Sequence, residues 1–403
     1  MRIALVAEHP GQPGADVATE PGSHAQRLSQ LASALAGLGH AVTIYARKGS
    51  AALPRKSGAA PGLTVVAVPA GEPGSPRHDQ RLAHLAGFSD QLARRWRQDR
   101  PDVVHAHYWT GGLAALAATR GLRVPVVQTF HSLGIAGRAS GEAGAAGPDH
   151  AARVRMESLI ARNVSAVLAA SAAELAALAG LGVPRSAITV IPCGVDTTEF
   201  GPDGPVARRT RRRRLMTVAP LDDQRQLGPV LSALALVPGA ELLVAGGPPP
   251  GELETDAGYR ALRQLASQLG VAGRVSCTGQ VSRSRLPALL RSADLLVHTS
   301  ADEQSGMVAM QAMACGTPVI TSAEGSLSDA VVDGATGAVV RPDRPAALAR
   351  MIRTLLASPM LLEGYGIAAA DRVRARYSWD RVGRETVAAY QGPVSSARVD
   401  AIR

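Results

Sequence analysis

HTSADEQSGMVAMQAMACGTPVITSAEGSLSDAVVDGATGAVV, residues 298–340, is the stretch on which the reading of the fold turns. A short apolar run ending at His298 leads into a polar loop with Glu303. Gly306 then opens an Ala/Met-rich helical segment, Gly316 stops it, and a second apolar run follows from Val319 to Thr321. Strand, helix and strand in that order make a crossover unit of a parallel sheet. Gly306 permits close backbone approach at the helix start, where unsatisfied N–H groups and the macrodipole attract an anion such as a diphosphate. A carboxylate just before that point accepts hydrogen bonds from sugar hydroxyls, and a polar side chain a turn or two along the helix reaches a ribose.

Working outward, the same alternation fills the chain. Apolar runs at Ile3–Ala7, Ala41–Tyr45, Leu63–Val68, Val103–Ala106, Val124–Thr129, Ala166–Ala169 and Ile188–Ile191 read as strands of a first domain. Between the first two, Ala25–Gly37 reads as a helix with Leu28, Leu31 and Leu35 on one face and Gly39 at its C-cap. The pattern restarts at Leu215–Val218 and continues through Glu241–Ala245, Val275–Thr278, Leu295–His298 and Val319–Thr321. Between the two sets lies GPDGPVARRTRRRR, residues 201–214, which reads as a linker whose arginines are solvated. The expected fold is α/β, with two Rossmann-like doubly wound domains facing a central cleft. The expected boundaries are 1–200, a linker at 201–214, 215–375, a terminal helix at 376–391 crossing back to the first domain, and a tail at 392–403.

At 403 residues the chain is too long for one ordinary core, in keeping with two domains. Hydrophobic residues at 46% and charged residues at 19% exclude a wholly disordered chain. Aromatics at 3% leave little material for base stacking, which argues against a single-strand nucleic-acid binder. Lys48 and Lys56 are the only lysines and share one early loop, so a pyridoxal phosphate Schiff base has no suitable residue. The net charge of +10 suits an anionic partner, and an arginine-favouring base composition produces it equally well. Cys193, Cys277 and Cys315 form no CxxC pair, which offers no structural zinc site and fits a reducing compartment. With no signal peptide and no apolar run long enough to span a bilayer, a cytoplasmic location is expected, with peripheral membrane contact open.

Residues 298–340 resemble the signature of retaining, group-1 type (family 4) glycosyltransferases of GT-B fold, whose common form is E-P-F-G-x-x-x-x-E-A-M-A-x-G-x-P-V followed by a V-x-D-G-x-T-G turn. Glu303, Gly306, Ala312, Met313, Ala314, Gly316, Pro318 and Val319 match, as do Asp333, Gly334, Thr336 and Gly337. The stretches PDVVHAHYWTGGLAAL and VPVVQTFHSLG are similar to acceptor-side elements of sucrose-phosphate synthase-like and mycothiol-pathway glycosyltransferases. IPCGVDTTEF resembles the family's interdomain signature and YSWDRVGRETVAAY its terminal helix, so the likeness spans Met1 to about Gln391.

The resemblance implies a transferase that moves a sugar from a nucleotide-diphosphate donor to a hydroxyl acceptor with retention at the anomeric carbon. It implies no cofactor and no metal beyond the nucleotide sugar as co-substrate. Glu303 would hold the donor sugar and His131 would line the reaction centre. Gly22, Arg225, Ser305, Gly306, Met307 and Gln311 would form the donor side. Tyr108, Ser132, and Arg153 or Arg155 are available for an acceptor phosphate, the acceptor being a small-molecule or lipid-linked hydroxyl compound; no nucleic-acid partner is expected.

The chain departs from the family pattern at the donor side. Gln311 stands where the family has a second glutamate, and Ser305 where it has Phe. Pro220 stands where it has a phosphate-binding arginine, with Asp222 and Asp223 beside it and Arg225 at the lysine position. Losing one of two charge-assisted phosphate contacts costs ~2 to 3 kcal/mol of binding. A catalytically weak homologue acting as a binding protein is therefore the competing expectation, and a sugar-nucleotide epimerase on the same fold is a third.

Overall fold

Strands β1 (Arg2–Val6), β2 (Ala41–Arg47), β3 (Leu63–Val68), β4 (Val103–His107), β5 (Val126–Thr129), β6 (Ala166–Ala169) and β7 (Ile188–Val190) form one sheet, ordered β3-β2-β1-β4-β5-β6-β7. Strands β8 (Arg213–Val218), β9 (Ala240–Ala245), β10 (Val275–Cys277), β11 (Leu295–His298), β12 (Val319–Ser322) and β13 (Gly337–Val340) form a second, ordered β10-β9-β8-β11-β12-β13. All paired strands run parallel, as crossover helices require. The computed structural model describes residues 1–8, 24–48, 61–70, 81–135, 148–299, 306–322, 327–341 and 344–402.

Central strands of such sheets are covered on both faces and so carry near-continuous apolar runs. Every residue of β4 (VVHAH), β9 (AELLVA) and β11 (LLVH) is buried. With few aromatics, the cores are built from Ala, Val, Leu and Ile, as in the cluster of Leu215, Leu231, Leu242, Val297, Ile320 and Ile352.

Two compact units result. The first holds the described residues up to Gly194 together with those from Trp379 onward, and the second holds Val195–Ser378. The carboxyl-terminal helix Trp379–Ile402 returns to the first unit and runs on past Gln391. Val382, Tyr390 and Val394 on one face of it join the core of Leu28, Leu31 and Leu35 from the helix His24–Gly37. A Cβ at Gly383 would stand 3.2 Å from Ala34 Cβ, so glycine there lets the two helices approach closely.

The stretch expected as a solvated linker behaves differently. It belongs to the second unit, and Arg213 and Arg214 open β8. Arg214 is 4% exposed. Its Nε donates to Glu241 Oε1 at 2.6 Å, Nη1 to Ser292 Oγ at 2.8 Å and Nη2 to the Arg208 carbonyl at 2.9 Å. The parallel register sets Arg214 beside Glu241 on β9, so the charge is buried because its partner is adjacent. Arg209 and Arg213 pair with Asp294.

Candidate active site

Chain order reverses direction in each sheet beside its first strand, between β1 and β4 and between β8 and β11. Ligands of open parallel sheets bind outside the carboxyl ends of the strands at such points. The described candidate residues other than Arg155 lie near those carboxyl ends, within each unit separately.

In the first unit, the two-residue period of β4 puts His105 and His107 on one face, with ring centroids 4.2 Å apart. His105 Nδ1 is 2.7 Å from the Tyr390 hydroxyl and its Nε2 2.8 Å from Thr129 Oγ1. His107 Nδ1 is 2.8 Å from His131 Nε2. Burial drives the His107 pKa down to about 3 and that of His105 well below its ordinary value, the neighbouring His107 adding to the latter. Both imidazoles are therefore neutral at physiological pH, each with one donor and one acceptor nitrogen.

Tyr108 and His131 follow the ends of β4 and β5, and both adopt left-handed backbone, φ 63° and φ 63°. That conformation is uncommon for residues with a Cβ and collects where surrounding structure holds a side chain in place for function. The two rings meet with centroids 4.7 Å apart. Beyond His131, Arg153 Nη2 donates to the Ser132 carbonyl at 3.0 Å and to Ser132 Oγ at 2.8 Å. Arg153 Nε donates to Glu157 Oε1 at 2.7 Å, while Glu157 Oε2 accepts from Gly134 N–H at 2.8 Å. Burial raises the Glu157 pKa, opposed by the Arg153 charge. The structure thus joins Tyr108, His131, Ser132 and Arg153 in one constellation. Arg155, two positions along the same helix Pro148–Asn163, points away and is exposed.

In the second unit, Gly306 has φ 60° and is the N-cap of the helix Met307–Ala314. Met307 is the first helical residue, and its side chain is buried in the core, so only its backbone faces the helix entrance. Gln311 is 3% exposed, and its Oε1 has no partner among the described residues. Arg225 is exposed in the first turn of the helix Gln224–Ala235. Asp223 is that helix's N-cap and accepts from Gln226 N–H at 3.1 Å, so its carboxylate has a structural partner. Gly22, Glu303 and Ser305 lie outside the described residues.

Several polar residues at the second switch point were missed in the sequence. Gln226 Nε2 lies 2.8 Å from Thr217 Oγ1, 3.2 Å from the Val218 carbonyl and 3.1 Å from His298 Nδ1, bridging β8 and β11. At the ends of β11 and β12, Thr299 Oγ1, Thr321 Oγ1 and Ser322 Oγ are buried without partners among the described residues. Buried hydroxyls are ordinarily paired, so this edge is set up to receive hydrogen bonds. The available signal was position: each of these three residues lies at or just past the carboxyl end of a predicted strand. Tyr390 was missed for another reason, since its four-residue spacing from Thr386 and Val394 marked a helix face without naming what it touches.

A glycosyl transferase 4-like domain model matches residues 22–194, and a model of the glycosyl transferases group 1 matches residues 205–372. The D-inositol 3-phosphate glycosyltransferase of Geodermatophilus obscurus is 32% identical over 410 residues, covering 96% of this chain and 89% of that protein. Among solved structures, a sucrose-phosphate synthase from Thermosynechococcus elongatus has a TM-score of 0.81 at 27% identity, covering 98% of this chain and 99% of that one. An Anabaena protein solved in complex with UDP-glucose shares the fold, with a TM-score of 0.69 at 19% identity over 97% of this chain and 100% of that one. No described helix is long and apolar enough to cross a membrane. With both halves matched and a near full-length relative at 32% identity, the chain belongs to the group 1 glycosyltransferases and is a glycosyltransferase of GT-B fold, made of two Rossmann-like domains.

Proposed function

We propose that the protein transfers a sugar from a nucleotide-diphosphate donor to a hydroxyl of a small phosphorylated acceptor, in the cytoplasm and with retention at the anomeric carbon. The observation that carries the acceptor class is Arg153. Its Nε and Nη2 edges are held by Glu157 and by Ser132, the residue next to His131 in the chain, which fixes the guanidinium as a phosphate partner. The named substrate of the Geodermatophilus relative and the named product of the Thermosynechococcus structure are both phosphorylated, which supports the same reading.

In this reading the bond from the anomeric carbon to the diphosphate oxygen breaks while the acceptor oxygen bonds to that carbon on the same face. The acceptor proton passes to the departing diphosphate. The helix start at Gly306 and the Arg225 guanidinium stabilise the charge on that leaving group, Gln311 takes the ribose, Glu303 and Ser305 hold the sugar, and Gly22 lets the backbone approach the donor. Positive protein groups and dipoles supply the stabilisation without a bound metal. Gln311 binds ribose as a neutral acceptor and so more weakly than a carboxylate would. The test is to incubate the protein with D-inositol 3-phosphate and a panel of UDP-, GDP- and dTDP-sugars, resolving the product anomer by NMR. An axial-donor sugar appearing in equatorial linkage, or release of epimerised donor without an acceptor, would rule the reading out.

A further inference from the structure

Within the second unit, the amino ends of the strands form the edge opposite the candidate site. The register sets Arg213 of β8 beside Ala240 of β9, and Leu242 of β9 beside Val275 of β10. Arg211 and Arg212, just before β8, and Arg274, just before β10, therefore come to the same edge. Arg208, Arg211 and Arg212 are exposed. Arg274 Nη1 donates to the Val237 carbonyl at 2.8 Å and Nη2 to the Leu234 carbonyl at 3.0 Å, which holds its guanidinium at the end of the helix Gln224–Ala235. Burial and the Arg211 charge lower the Arg274 pKa, so these two positive groups stand close enough to repel. Exposed Arg353, on the helix Pro345–Ala357, donates from Nη1 to the Leu236 carbonyl at 2.9 Å and adds a further charge. The carboxylates of Glu241 and Asp294 on this edge are engaged, the first by Arg214 and the second by Arg209 and Arg213. Asp203, exposed shortly before Arg208, offsets one charge. Two large apolar side chains stand out on the same edge: Leu236 is 47% exposed, and Met360, in the first turn of the helix Pro359–Arg376, is 85% exposed.

We propose that this edge of the second unit docks on a bilayer surface carrying anionic phospholipids, its arginines on the headgroup phosphates and Leu236 and Met360 in the interfacial layer. Exposed guanidiniums gain from an anionic surface without a shaped cavity, roughly fivefold in affinity for each arginine. Exposed apolar side chains gain only where they leave water, which a lipid interface allows and a phosphate backbone in water does not. The segment 207–214 also holds no aromatic residue on which a base could stack. Both observations favour a bilayer over nucleic acid. The carboxyl ends of the same strands point away from such a surface and stay open to small molecules. Docking here draws on no residue of the proposed transfer reaction, so either reading can fail without the other.

The experiment measures co-sedimentation of the full chain with vesicles of phosphatidylcholine alone and of phosphatidylcholine mixed with phosphatidylglycerol. The mixed vesicles are expected to bind at least about tenfold more tightly, with the preference fading between about 0.1 M and 1 M salt as the screening length falls from about 10 Å to about 3 Å. The double variant Arg211→Gln with Arg212→Gln should bind them roughly 20- to 30-fold more weakly. Arg94→Gln with Arg97→Gln makes the same change of charge at exposed positions of the first unit and should leave binding within about twofold. Leu236→Ser with Met360→Ser keeps the charge and should weaken binding at least about fivefold. No preference for phosphatidylglycerol, equal losses in the two arginine pairs, or undiminished binding by the Leu236 and Met360 variant would each overturn the proposal. Tighter binding to a DNA oligonucleotide than to the mixed vesicles, unaffected by the Leu236 and Met360 changes, would overturn it in favour of nucleic acid. Vesicle binding by a preparation that transfers no sugar upholds the surface and counts only against the proposed reaction.

Discussion

His107 Nδ1 and His131 Nε2 lie 2.8 Å apart, joining the end of β4 to the first turn past β5. Because His107 is neutral, with its pKa at about 3, the pair shares a single proton between those two nitrogens. This bond fixes the ring of His131, which stands on left-handed backbone and against Tyr108. In the proposed reaction, His107 would thereby act as a positioning residue for His131.

Replacing His107 with Phe keeps a ring of similar size and removes the bond. We expect kcat to fall roughly 10- to 100-fold, the range for a reaction-centre group displaced by up to about 1 Å, with acceptor KM changed little. Steady-state kinetics with both substrates varied would show it; an equal fall in kcat and rise in acceptor KM would contradict the positioning role.

Arg153 and Arg155 separate cleanly. Arg153→Gln should raise acceptor KM by about 10- to 100-fold, as loss of one charge-assisted contact requires, while Arg155→Gln leaves it within about twofold. A matching rise in both variants would show that the effect is one of general charge rather than of the Ser132–Arg153–Glu157 arrangement.

Glu174 sits at the start of the helix Ala172–Gly180, where Ser171 Oγ accepts from its N–H and its Oε2 accepts from Ala170 N–H at 2.7 Å. Burial raises its pKa to about 7, against the ordinary 4.5. The folded chain therefore holds a proton that the unfolded chain releases between those values. This contribution to stability is present below pH 4.5 and is lost as pH rises through about 7. Glu174→Gln keeps an acceptor for Ala170 and cannot ionise, so it should gain about 1 to 3 kcal/mol over the native protein at pH 8 relative to pH 4.5. Urea unfolding at the two pH values measures the difference, and parallel curves for both proteins would refute the assignment.

Arg214 and Glu241 give a stability test in the second unit. Arg214→Met leaves Glu241 buried without its main partner and should cost about 3 to 5 kcal/mol, whereas the double change with Glu241→Leu should recover most of that. Denaturant midpoints of the native, single and double variants supply the cycle. A double variant as unstable as the single would mean that packing, not the stranded charge, sets the cost.

The parallel α/β order, the two sets of strands and the candidate side chains at strand ends were all determined by the sequence, because period, glycine position and strand termination are local properties. Residues such as His105 and His107 announce themselves by interrupting apolar runs where a switch point can use them. What they touch is not local. Arg214 read as solvated because charge runs usually are, and only the β8–β9 register put Glu241 beside it. Asp223 read only as part of the departure at the donor side, and the folded helix start made it a cap. Tyr390, 285 residues from His105 in the chain, reaches it because the last helix packs back onto the first sheet. Tertiary structure alone decides such pairings, since the free energy of a buried polar group depends on which partner long-range packing brings within hydrogen-bond distance.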